Sequence, residues 1–206
     1  MATLQEILQA GLRELRISAS SHQQQQLLDY VALLHKWNKA YNLTAIRDQE
    51  NMVRRHLLDS LTVLPWLGVD TTLDVGTGAG LPGIVLAIMR PEQQFILLDS
   101  NGKKTRFVRQ AVLELGLPNV EVVQSRIQDF ARQVPQITAR AFAALPDMLA
   151  MLAHVLPNDG RLLAMKAAQA EAEIEQAPAG WQFDTVQLHV PGVNEHRELV
   201  IAHSAE

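Results

Sequence analysis

The 206-residue chain contains no cysteine. That excludes disulfides, thiolate metal sites, Fe–S clusters and every mechanism opened by a cysteine nucleophile. No stretch approaches the roughly 20 apolar residues of a membrane span, and residues 1–6 carry neither the basic nor the apolar part of a secretory signal, so the expected location is the cytoplasm. None of the seven histidines forms a His-x-x-x-His or His-Glu-x-x-His pair, and no metal site is expected. A Gly-x-Ser-x-Gly elbow is missing, and His56, Asp59 and Ser60 stand at helical spacing, where they cannot align as a hydrolytic triad; they are read as tying helices to the rest of the fold. A phosphate loop is missing too, because Gly102-Lys-Lys-Thr105 has Leu97 where the first glycine belongs.

A strong basic balance is also lacking. The net charge is −4, which argues against nucleic acid wrapped over the whole surface. The mean conceals an asymmetry: residues 1–110 hold 12 Lys and Arg against 10 Asp and Glu, and residues 111–206 hold 6 against 12. The excess concentrates in Lys36, Lys39, Arg47, Arg54 and Arg55 and again in Lys103, Lys104, Arg106 and Arg109. These are two candidate RNA-facing patches, or two solvated helix faces.

What is present is a globular composition, 48% hydrophobic and 19% charged, in a length that can bury roughly 70% of its unfolded surface. Leu4, Ile7, Leu8, Leu12 and Leu15 make a one-sided stripe of helical period, continued by Leu27, Leu28, Val31, Leu34 and Trp37. Ser18, Ser20 and Ser21 are candidate N-caps between them, Gln23 to Gln26 reads as an exposed first turn, and a third helix over 50–64 should end before Pro65. Residues 1–66 are therefore expected to form a helical subdomain.

Beyond Thr71 short apolar runs alternate with amphipathic segments. Strands are expected at 72–75, 95–98, 120–123, 137–143 and 160–165, with helices between them, which implies βαβ units and a largely parallel sheet. Runs at 184–190 and 198–203 are joined too closely for a crossover and should pair antiparallel. Seven strands with a terminal antiparallel hairpin over 67–206 suggest an α/β, Rossmann-like sheet of the class I methyltransferase kind.

The strongest local signal is Leu73-Asp-Val-Gly-Thr-Gly-Ala-Gly-Leu-Pro-Gly83, with glycines at 76, 78, 80 and 83 between a strand and a helix. Glycines let the backbone turn sharply and approach a ligand, and a helix N-terminus offers free N–H groups. Gly78 to Gly83 also fits the G-x-G-x-x-G dinucleotide fingerprint, so a nicotinamide oxidoreductase is the rival. S-adenosylmethionine is favoured by three features. Asp74 sits two residues before the first glycine, where a carboxylate can meet a sulfonium-bearing amino acid. Asp99 ends the second strand 21 residues after Gly78, placed for ribose hydroxyls, a feature shared with NAD enzymes. Only about 60 residues follow Leu145, too few for a separate substrate domain.

Absences narrow the acceptor. Attack through pyrimidine C5 needs a cysteine, and exocyclic amine transfer commonly uses an Asn/Asp/Ser-Pro-Pro-aromatic tetrad where this chain has Thr138-Ala-Arg-Ala-Phe-Ala143. Guanine N7 already carries an in-plane lone pair, so its methylation needs orientation and no proton removal.

His35-Lys-Trp-Asn-Lys-Ala-Tyr-Asn-Leu-Thr44, Arg55-His-Leu-Leu-Asp-Ser60, the glycine segment 74–83, Leu97-Leu-Asp-Ser100 followed by Lys103, Gln124-Ser-Arg-Ile127 and Arg140-Ala-Phe142 closely resemble the ribosomal RNA small subunit methyltransferase G family, also called glucose-inhibited division protein B. The resemblance implies N7-methylation of a guanine in 16S rRNA, position 527 in the 530 loop, with S-adenosylmethionine as donor and 16S rRNA or the small ribosomal subunit as partner; a monomer is expected. It carries cofactor contacts onto Gly76, Leu81, Ile127, Gln128 and Arg140, beside Asp74, Gly78 and Asp99 from the loop argument. Substrate orientation is assigned to Arg126, Arg140 and Lys103. A non-catalytic ribosome-binding module that keeps the cofactor as a structural ligand is the second rival. Two departures stand out. Val134-Pro-Gln-Ile-Thr138 lacks the usual Asp and is about two residues short, leaving the fourth strand's register open, and Ala167 follows Lys166 where the family has Gly.

Two pairs have competing readings. Arg126 and Arg140 either hold RNA or pair with Asp99 or Asp129. Trp37 and Tyr41, four apart on a helix, either stack on an extruded base or belong to the core.

Overall fold

The computed structural model describes residues 2–167 and 170–204. Two helices open it, α1 (Leu4–Glu14) and α2 (Ser21–Tyr41), and each begins with a capping box. Thr3 caps Glu6 and Ser20 caps Gln23, so two otherwise orphaned N–H groups are satisfied at each start, an N-cap being worth about 1 kcal/mol. Gln23 to Gln26 is not an exposed turn. The Gln26 amide is buried and donates to the Leu115 carbonyl at 2.8 Å, and the Gln23 amide donates to Ile88 O at 3.1 Å. Polar side chains of α2 thus terminate carbonyls near the ends of two later helices.

The expected third helix is interrupted. It runs as α3 (Gln49–Met52), a π-helical stretch (Val53–Leu58) and α4 (Asp59–Leu61), and Pro65 lies in a 3-10 turn (Leu64–Trp66) beyond them. The remaining elements are β1 (Thr72–Val75), α5 (Gly83–Met89), β2 (Phe95–Asp99), α6 (Gly102–Leu115), β3 (Val120–Gln124), β4 (Gln136–Arg140), α7 (Leu145–Leu152), β5 (Arg161–Lys166), α8 (Ala170–Glu175), β6 (Trp181–Leu188) and β7 (Arg197–Ser204). The sheet order is β3-β2-β1-β4-β5-β7-β6, with β7 antiparallel to both neighbours and every other pair parallel. The fourth strand stops at Arg140, three residues earlier than its apolar run suggests, because Ala141 turns to φ +50°. Its register is regular, Thr72 opposite Gln136 and Gln136 opposite Arg161. The sixth strand starts at Trp181 instead of 184.

Both sheet faces are covered. Leu73, Val75, Ile96, Leu98, Ile137 and Ala139 pack with α7, whereas Phe95, Leu97, Leu163 and Met165 pack with α5, α6 and the N-terminal helices. Alternate residues point to opposite faces, so these strands read as unbroken apolar runs. The N-terminal helices share that second core, and the Tyr30 hydroxyl donates to Ala79 O at 2.8 Å, clamping the glycine loop from behind. The strand order reverses between β1 and β4. In such sheets ligands bind at the carboxyl ends of the strands beside that reversal.

Candidate active site

A cavity of about 550 Å³ opens at that point, lined by Gly76, Asp99, Ser100, Lys104, Ser125, Arg126, Ile127, Gln128, Ala141, Phe142 and others. Gly76, Asp99, Ile127 and Gln128, read from the sequence as cofactor contacts, are brought together there, with Arg126 beside them. Gly76 has φ +63°, and a Cβ there would run into the Phe142 ring. Gly78 has φ +59°, and its N–H donates to Asp99 Oδ2 at 2.9 Å while Asn101 N–H donates to Oδ1 at 2.8 Å. Each carboxylate oxygen keeps a further lone-pair site for hydroxyl donors.

Asp74 does not line this cavity. It is fully buried, and its oxygens accept from the Thr77 hydroxyl (2.6 Å), the Gly83 amide (2.9 Å) and the Thr138 hydroxyl (3.1 Å). Burial pushes its carboxyl up to about 6 against the pull of those hydrogen bonds and of Arg140. The structure therefore places Asp74 as the brace of the glycine loop, where the sequence argument had it meeting the cofactor. Leu81 is likewise buried in the core beneath the loop, and Gly78 touches the cavity only through Asp99.

The three residues assigned to substrate orientation fall in three different places. Arg126 lines the first cavity. Lys103 lines an open groove of about 1020 Å³ with Tyr41, Arg106 and Arg109; its neighbour Lys104 is the lysine of the first cavity. Arg140 lines a third cavity, of about 460 Å³, which shares Ala141 with the first. Its Nη1 donates to Asp59 Oδ2 at 3.0 Å and to the Arg55 carbonyl at 3.2 Å, so its partner is neither Asp99 nor Asp129. Asp59 also accepts from Arg197 Nε at 3.2 Å. Asp59 and His56 do join the helical segment to the sheet.

The π-helical turn explains the Arg55 contact. In an α-helix the Asp59 amide would take the Arg55 carbonyl; here it donates to Arg54 O and His56 O, leaving Arg55 O for the guanidinium. His56, next in line, has Nε2 at 2.9 Å from Thr44 Oγ1, and burial together with the Arg140 charge pushes its imidazole down to about 3.

Trp37 divides the two aromatic readings with Tyr41. It packs edge-on against buried Phe107 at 5.6 Å, so it belongs to the core, and it stacks on Tyr41 at 5.2 Å. Tyr41 is 38% exposed at the rim of the basic groove. Phe142, Ser100 and Arg197 are not singled out by the sequence as site residues, and Lys104 is read there only as part of a basic patch. Phe142 lies inside a quoted motif; Arg197, 57 positions beyond Arg140, carries no local signal.

Among the described residues no cluster of three or more His, Asp or Glu is placed to hold a metal, and no helix is long and apolar enough to cross a membrane. The family model described as rRNA small subunit methyltransferase G matches residues 23–200. A ribosomal RNA small subunit methyltransferase G from Marinobacter nauticus is 54% identical over 202 residues, 97% of this chain and 94% of that one. One from Escherichia coli (strain K12 / DH10B) is 48% identical over 193 residues, covering 92% and 93%. A SAM-dependent methyltransferase from Aquifex aeolicus superposes with TM-score 0.59 at 21% identity, over 81% of this chain and 96% of that one. Ribosomal protein L11 methylase from Lactobacillus delbrueckii gives TM-score 0.59 at 19% identity over 76% and 80%. These two likenesses show the fold.

Proposed function

The chain belongs to the rRNA small subunit methyltransferase G family, and we propose that it methylates N7 of a guanine in 16S rRNA, guanine 527 of the 530 loop, using S-adenosylmethionine. The observation that carries the reading is the cavity at the strand-order reversal, where a positive-φ glycine, a doubly anchored Asp99 and the Ile127-Gln128 pair converge. That set fits the cofactor. Asp99 presents spare acceptor sites for ribose hydroxyls, Gly76 leaves room for close approach, and Ile127 and Phe142 supply apolar walls. When bound, the cofactor supplies a methyl carbon made electrophilic by a sulfonium.

The rest falls to the chain's own residues. Guanine N7 has a free in-plane lone pair, so no side chain has to remove a proton; the protein holds the base in line and keeps water out. This suits a site in which the buried imidazole, His56, is neutral. Lys103, Arg106 and Arg109 beside Tyr41 make a cationic groove for rRNA phosphates with an aromatic rim for stacking. The dinucleotide rival shares the glycine fingerprint and the Asp99 feature. Mapping 7-methylguanosine on 16S rRNA with and without the protein tests the reading, and no new modification at the 530 loop would reject it.

A further inference from the structure

Resting on that guanine reading, we propose that the third cavity is the seat of the target base, that Arg140 and Arg197 donate to the carbonyl edge of its ring, and that Asp59 is the positioning residue holding both guanidinium groups. The cavity adjoins the first at Ala141, the residue that turns the chain away from β4. A base seated there faces the first cavity across a single backbone turn.

Its walls decide what it accepts. Ile46, Ala141, Met148 and Met165 give apolar surface for a flat ring. Both carboxylates of the lining already hold partners: Asp59 two arginines, and Glu173, through Oε2, Lys166 and the Leu145 amide. His56 is held neutral. Against those two carboxylates stand four cations, Arg55, Arg140, Lys166 and Arg197, a donor-rich lining that suits guanine O6; adenine would point an amino donor at the same place. Arg197 spends Nε on Asp59 and Nη1 on the His196 carbonyl, and Arg140 spends Nη1 on Asp59 and Arg55 O and Nη2 on His56 Nδ1 at 3.4 Å, which leaves Nε. Pinned this way, Arg197 has one nitrogen outside these bonds, enough for O6 but not for the two-bonded fork over O6 and N7 that would mask the nucleophile. Asp59 itself is 4% exposed and acts on the base through those two arginines.

The test compares wild type, Asp59→Asn and Arg197→Gln in methyl transfer to unmodified 30S particles. S-adenosylhomocysteine affinity is measured by calorimetry, and a 16S rRNA fragment carrying 6-thioguanosine is photocrosslinked to the wild-type protein. Both variants should lose at least 30-fold in kcat, with the rRNA KM within about threefold and S-adenosylhomocysteine affinity within about twofold of wild type; crosslinks should map to residues 140–148 and 165–167. Should Asp59→Asn fail to fold, Arg197→Gln still leaves the Asp59–Arg140 pair in place. Wild-type kcat in Arg197→Gln, loss of its S-adenosylhomocysteine binding, or crosslinks confined elsewhere overturns the assignment. Crosslinks in the cavity without any 7-methylguanosine product would keep the base site and overturn the reaction.

Discussion

The Gly78 amide and the Asp99 carboxylate lie 21 residues apart in the chain and meet at 2.9 Å, so the end of β2 and the glycine loop are fixed to each other by one charge-assisted hydrogen bond. Asp99→Asn keeps one acceptor oxygen and turns an amino group toward either the Gly78 or the Asn101 amide. S-adenosylhomocysteine binding should weaken by about 1 to 3 kcal/mol. A dissociation constant within about twofold of wild type would contradict a role for Asp99 in holding the ribose.

Gly76 and Gly78 share positive φ but differ in surroundings. An added Cβ at Gly78 meets nothing nearer than the Gly76 carbonyl at 3.9 Å, whereas at Gly76 it strikes the Phe142 ring. Gly78→Ala should therefore cost only backbone strain, about 1 kcal/mol, and Gly76→Ala distinctly more in both melting temperature and cofactor affinity. Equal effects would show that the Phe142 contact is irrelevant.

Asp74 and His56 act on stability with opposite sign. A carboxyl raised to about 6 makes the folded state bind more protons than the unfolded one between about pH 4 and 6, so its contribution falls as pH rises through that window, on the order of 3 kcal/mol in all. An imidazole lowered to about 3 does the reverse, losing stability as pH falls below about 6.5. Denaturant unfolding at pH 5 and pH 7.5 should show little net slope in wild type. Asp74→Asn should become acid-sensitive and His56→Gln more stable at pH 5 than at 7.5; parallel curves for all three proteins would refute the opposition.

The groove lined by Lys103, Arg106 and Arg109 predicts a salt signature. If these side chains meet rRNA phosphates, Lys103→Ala with Arg106→Ala should flatten the plot of log affinity against log salt by about 0.7 to 0.9 per lost contact. The rRNA KM should rise while S-adenosylhomocysteine affinity stays put, since neither residue lines the cavity of Gly76 and Asp99 proposed to hold the cofactor. An unchanged slope in a filter-binding series would make the groove a solvated face.

Strand β1 and the glycine loop were legible because both announce themselves locally: a short apolar run, then four glycines in eight residues. The antiparallel ending was legible from connection length alone. The interrupted third helix was not, since a single wide turn leaves no periodic trace in six residues. Spacing along the chain also could not separate Lys103 from Lys104, because adjacent residues on a helix point about 100° apart and here face different cavities. Arg140 is read from the sequence as a site residue, but its partner Asp59 comes from a helix 81 positions earlier, and the arginine that shares Asp59 from a strand 57 positions later. Such pairings are set by topology and have no signature in local pattern.

The wide turn at Val53–Leu58 makes this part of the molecule sensitive to the length of the chain more than to its spelling. Removing any one residue there would let the helix close in its ordinary form and return the Arg55 carbonyl to an amide of its own helix. Arg140 would then lose its backbone acceptor without having been touched, so a one-residue deletion is an edit that this element is built to refuse, while most conservative exchanges along the same turn leave its carbonyl free.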